Sequence, residues 1–110
     1  MLIATRVLKW RHAGGEVEVP IRIFAPESTG KAWGCRYEID WPGRPKRMTA
    51  AGFDGVQALI LALQMIGAEL YTSSYHQAGE LSFEKPGNGY GFPVASVLRD
   101  TLVGDDARLF

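Results

Sequence analysis

Residues 54–70, DGVQALILALQMIGAEL, decide the fold. They read as one helix that is apolar nearly all the way round, with Asp54, Gln57, Gln64 and Glu69 as its only polar side chains. A surface helix of a small domain ordinarily keeps a charged face toward water, so this one has to be covered on more than one side. Asp54 suits the N-cap, and Gln57 is placed to close a capping box. At helical spacing Val56, Leu59, Ile60, Leu63, Ile66 and Leu70 form one stripe, expected to pack on a sheet. Leu61 and Met65 lie opposite, with Ala58 and Ala62 on the flank between. That second side calls for the C-terminal segment or a second subunit, and the latter would be a homodimer through Leu61 and Met65.

The sheet comes from the residues upstream. LIATRVLKWRH (2–12) is rich in β-branched and aromatic residues, and Ala13-Gly14-Gly15 marks a hairpin turn. EVEVPIRIF (16–24) alternates, with Val17, Val19, Ile21 and Ile23 on one face. Pro20 inside the run predicts an edge strand or a bulge, because proline has no ladder donor. After a loop at 25–31, AWGCRYEIDW (32–41) puts Trp33, Cys35, Tyr37, Ile39 and Trp41 on one face. Gly34, Arg36, Glu38 and Asp40 fall on the other, as in a half-buried antiparallel strand. A turn at 42–45 leads to a fourth strand over 46–50.

Downstream of the helix, residues 71–76 end it or continue it weakly, and ELSFE (80–84) suggests a short strand. PGNGYGF (86–92) is a glycine-rich loop pinned by Tyr90 and Phe92. Pro93 at a first helical position and Gly104 just past an end predict a second helix over 93–103. Its face Val94, Val97, Leu98 and Leu102 would cover Leu61 and Met65. The tail 105–110 is expected to fray. Four strands followed by a long helix on one face, and then a short C-terminal helix, make an α+β domain spanning residues 1–110.

The 110 residues, 46% apolar and 22% charged, suit one globular domain. Formal charge sums to zero, although nine Lys/Arg face five Asp/Glu in residues 1–50 and three face seven in 51–110. Packing of helix on sheet interleaves those halves. The N-terminus lacks a signal-peptide pattern, and Gln64 interrupts the longest apolar run, so a soluble cytoplasmic protein without a membrane span is expected. Cys35, the single cysteine, excludes an intrachain disulfide and reads as a buried, inert hydrophobe.

Catalytic and metal patterns are thin. His12 and His76 are the only histidines, and there is neither a G-x-S-x-G elbow nor H-E-x-x-H. His76 and Glu80 have helical spacing, but Gly79 breaks it. Residues 87–91 lack the lysine and Ser/Thr of a P-loop. Phe24, Trp10, Trp33, Tyr37 and Trp41 among the basic residues raise a single-stranded nucleic-acid-binding sheet as an alternative. The strand aromatics, however, share the face that the helix must cover. No catalytic residue, metal site or cofactor is expected. Tyr71, Ser74, Tyr75 and His76, with Tyr90, form the candidate binding surface, where tyrosine, serine and histidine suit adaptable recognition.

The run TAAGFDGVQALILALQMIGAELYTS (49–73), with YEIDWPG (37–43) before it and YGFP (90–93) after it, resembles a family of short bacterial proteins of unknown function. The resemblance covers residues 33–102. It implies a small single-domain bacterial protein and carries over no catalytic residue. At the level of fold alone, the chain is similar to immunity proteins that bind and block bacterial toxins. The expectation is therefore a non-enzymatic protein-binding domain, with a toxin inhibitor as its sharpest form. A small-molecule enzyme using the Tyr71–His76 region is the further alternative.

Overall fold

In the computed structural model, which describes residues 1–95 and 102–109, the chain opens with a long hairpin. Strands β1 (Leu2–His12) and β2 (Gly15–Phe24) pair antiparallel from Leu2↔Phe24 to His12↔Gly15, with a bulge between Leu2 and Ala4. The two-residue loop has Ala13 at φ 52° and Gly14 at φ 76°, the doubly left-handed geometry that matches strand twist in tight hairpins. After Ala25-Pro26, the two-residue strand β3 (Glu27–Ser28) falls within the expected loop and pairs with β4 (Trp33–Ile39). Strand β4 also pairs with β2 on that side and with β5 (Lys46–Gly52) on the other. The sheet is antiparallel, and the chain later returns as β6 (Leu81–Ser82) on the outer edge of β1.

Pro20 is neither on an edge strand nor in a bulge, because β2 lies between β1 and β4. Its carbonyl accepts from the Asp40 N–H at 2.9 Å, just past the last paired residue of β4, Ile39. The N and C=O of a strand residue face the same neighbour, so the missing donor faces Asp40 just past the end of β4, and only a terminal bond of the ladder is forgone.

Helix α1 (Gly55–Thr72) starts at the expected N-cap, where Asp54 Oδ1 accepts from the Gln57 N–H at 2.8 Å; Gln57 Oε1, however, reaches one residue past the N-cap N–H of a capping box and accepts from the Phe53 N–H at 2.6 Å. Its phase, however, is rotated from the expected stripe. Ala58, Ala62, Ile66 and Leu70 are fully buried, whereas Val56 is 68% and Ile60 48% exposed. Leu59, Leu61, Leu63 and Met65 are half-buried against the core. The cause is packing distance. Alanines let the helix backbone lie close on β4 and β5, where a Cβ on Gly52 would meet the Ala58 backbone. Larger side chains on that line would hold the layers apart.

The core gathers Leu8, Val19, Ile21, Cys35, Tyr37 and Ile39 from the inner sheet face under this helix. Burial pushes the Cys35 thiol pKa up, and its Sγ donates to the Phe24 carbonyl, as suits an inert position. On the outer face Arg22 pairs with Glu38 and Asp40, and Arg47 with Glu38, so opposite charges face each other across the strands. By length and composition α1 could cross a bilayer; in this fold it packs on the sheet.

Of the second helix expected over 93–103, only the ends lie among the described residues. Residues 93–95 and 102–103 are not helical, residues 96–101 lie outside those described, and the short C-terminal helix is α3 (Gly104–Leu109). The Pro93 carbonyl presses against Gly67 of α1, where any side chain would collide with it. That contact fixes residues 93–94 as an extended strap rather than a helical turn. Among the described residues the strap covers Gly67; Val97 and Leu98, expected to cover Leu61 and Met65, lie outside them. Residues 105–109, expected as part of a frayed tail, belong to α3 and include the buried Asp106.

Candidate functional site

Where α1 ends, Ser73 serves two roles. Its hydroxyl donates to the Leu70 carbonyl and accepts from the His76 N–H, ending one helix and capping the next, α2 (Ser74–Gln77). This sharp restart turns successive side chains of the candidate surface in different directions. Tyr71 and His76 point toward the glycine-rich loop and meet edge to face, with ring centroids 4.8 Å apart. Tyr75 points the other way, stacked on Trp41 at 4.8 Å and edge-on to Trp10 at 5.1 Å. Ser74 is exposed. The structure thus joins Tyr71, His76 and Tyr90, and separates Ser74 and Tyr75 from them.

The loop is held from both sides. Arg6 Nη1 donates to the carbonyls of Tyr90 and Gly91 at 3.0 and 3.1 Å, and its guanidinium lies over the rings of Phe83 and Phe92. Asp106, 1% exposed, accepts from the N–H groups of Tyr90 and Gly91 at 2.9 and 2.8 Å. The Tyr71 hydroxyl donates to the same carboxylate at 2.6 Å and accepts from the Val103 N–H at 3.3 Å. Gly89 and Gly91 have φ of 85° and 80°. A Cβ on Gly89 would strike the Asp106 carboxylate, and one on Gly91 the Arg6 guanidinium. Both glycines are required by fold and by close approach.

Behind this clamp, His76 Nδ1 and the Tyr90 hydroxyl share a hydrogen bond of 2.5 Å. Both residues line a cavity of about 200 Å³ with Leu81, Ser82, Gly89 and Val103. Burial pushes the Tyr90 pKa up to about 12, helped by the Asp106 charge. Burial and the hydrogen bond to Asp106 also raise that of Tyr71. Both phenols stay protonated at neutral pH, so neither is a base or a nucleophile. Burial lowers the His76 pKa, which keeps the imidazole neutral and able to accept a proton. The set can orient a small polar molecule. Among the described residues, no group of three or more His, Cys, Asp or Glu side chains is placed to hold a metal ion.

Arg6 and Asp106 were missed by reading the sequence. The one available signal for Asp106 was a glycine followed by two acids, Gly104-Asp105-Asp106, downstream of a loop whose backbone N–H groups needed an acceptor.

A second concavity opens on the other side of the Arg6 clamp. Helix α1 lies over β4 and β5. Over the inner face of β1 and β2 this leaves a groove of about 370 Å³, lined by Ala4, Arg6, Ile23, Leu63, Phe92 and Pro93. The exposed Val56 and Ile60 continue the Leu63 side of α1 toward its N-terminus.

Neither the curated proteins nor the solved structures offer a match to this chain. A family model does, over residues 4–94, which takes in the sheet, α1, α2 and the clamped loop. The chain accordingly belongs to the family described as a domain of unknown function, DUF6968.

Proposed function

We propose that the protein is a non-catalytic, cytoplasmic protein-binding domain whose contact surface is the groove between α1 and the β1–β2 hairpin, with the adjoining helix face of Val56 and Ile60. One observation carries this reading: a single helix over a wider sheet leaves a groove lined by Ala4 and Leu63, and the exposed Ile60 and Val56 precede Leu63 on the same side of that helix. Contiguous apolar surface of this kind marks contact sites. In its sharpest form the partner is a bacterial toxin and this domain its immunity-type inhibitor. Leu61 and Met65, being half-buried, offer a second copy less surface than Val56 and Ile60 do. The ion-paired outer face gives little support to nucleic-acid binding, since its arginines are matched by Glu38 and Asp40.

A second reading has its own support. The cavity beside His76 and Tyr90 is small for a ligand pocket, but it sets an imidazole and a phenol in an otherwise apolar lining, as a site for a compact polar molecule would.

The test is photo-crosslinking in the cells that make the protein, with the reactive residue at Ile60 or, as a control, at Arg47 on the outer face. A protein crosslinked from Ile60 alone, and able to bind the purified domain, is the expected result. Identical products from both positions would contradict the groove as the contact surface. Turnover of a metabolite that is abolished by His76→Gln would favour the second reading.

A further inference from the structure

We infer that the free edge of β1 is the interface between two copies of this chain, joined strand to strand about a two-fold axis through Thr5. Among the described residues, β6 pairs with β1 only at Lys9 and Trp10, with one further bond from the Arg11 N–H to the Glu80 carbonyl. Beyond Ser82 the chain turns back on itself: Phe83 bridges to Lys85 around Glu84, at φ 61°. Residues Leu2–Leu8 are thereby left without a strand on that side.

The orientation of the backbone follows from the bond at Arg11. Alternate strand residues present N–H and C=O to the same neighbour, so Lys9, Val7 and Thr5 face the β6 side while Leu8 and Arg6 face β2. Thr5 is the midpoint of the free stretch Leu2–Leu8, and its backbone groups point outward. Antiparallel pairing of two such edges about Thr5 uses the whole free stretch and stops where β6 begins. It makes Thr5 of each copy a hydrogen-bonded pair, and it brings Val7 of each copy level with Ile3 of the other, where the bulge between Leu2 and Ala4 ends the regular stretch. Ile3 is 46% and Val7 36% exposed, so the pairing removes apolar surface from water at two symmetric places. An unpaired apolar strand edge is otherwise an aggregation hazard, and Leu2–Leu8 carries no proline and only Arg6 as a charge. This interface adjoins the groove, which Thr5 also lines, but it is formed by the strand edge and its test reads self-association alone.

Sedimentation equilibrium of the full chain tests it, with Val7→Lys and Thr5→Pro. Val7 is on the outer face, and the Thr5 N–H makes no bond to β2, so neither change removes a β1–β2 ladder bond. Wild type is expected to dimerise by high micromolar concentration, with the Thr5 and Val7 amides more protected from exchange as concentration rises. Each folded variant should raise the dimer dissociation constant at least about tenfold. Where Thr5→Pro fails to fold, Val7→Lys decides. A wild type that stays monomeric, or a dimer that Val7→Lys leaves intact, would overturn the inference.

Discussion

Asp106 holds three donors with one buried carboxylate: two backbone amides of the glycine-rich loop and the Tyr71 hydroxyl. Asp106→Ala leaves all three without their acceptor, at an expected loss of about 2–4 kcal/mol. Urea denaturation reads this directly, and a loss below about 1 kcal/mol would mean the clamp does not hold the loop. His76 links the same region to pH. Burial sets its folded pKa below the ordinary 6.5, so the unfolded chain takes up the proton first as pH falls. The stability tied to neutral His76 is present above that value and is lost as pH drops through it. Wild type should therefore lose more stability than His76→Gln between about pH 7.5 and pH 5.5, both midpoints being measured in urea. Ala13, at φ 52°, bears a left-handed strain that asparagine tolerates better. Ala13→Asn should raise stability by about 0.5–1 kcal/mol, visible as a higher thermal midpoint.

At the scale of elements, the sequence made the capped helix and the alternating strands legible because period and cap chemistry are local. Asp54 caps the helix as expected, and Cys35, Tyr37 and Ile39 share the buried face. The helix phase was not legible, since an almost uniformly apolar helix offers no polar face to orient it. Reading bulk as burial favours Val56 and Ile60 over Ala58 and Ala62; close layer packing does the reverse. Ala62→Leu should accordingly cost about 1–3 kcal/mol by overpacking, while Ile60→Ala costs under about 1 kcal/mol. Equal losses, or the opposite order, would restore the expected stripe. Of the candidate surface, Tyr71, His76 and Tyr90 converge, but the turn at Ser73 that separates them from Tyr75 depends on a cap whose consequence is three-dimensional. Arg6 and Asp106 lie far apart in sequence, at opposite ends of the chain, and meet only through the backbone of one loop.

For the whole molecule, the decisive feature is the mismatch between one long helix and a sheet wider than it can cover. The β4–β5 half of the inner face is closed by Ala58, Ala62 and Ile66; the β1–β2 half is bordered by a strap, a clamped loop and a groove. A single small domain gains nothing in stability by leaving Val56 and Ile60 in water beside an open groove. The proposed function supplies the cover: a partner protein seated on this half of the fold. Calorimetric titration of the partner captured at Ile60 tests this most directly, using wild type, Ile60→Glu and Arg47→Glu. Ile60→Glu should weaken binding at least about tenfold, since a charge would be buried at the contact, with its thermal midpoint unchanged. Arg47→Glu, on the opposite sheet face, should bind as wild type does. Equal affinities for wild type and Ile60→Glu would contradict a protein contact at the open half of the fold.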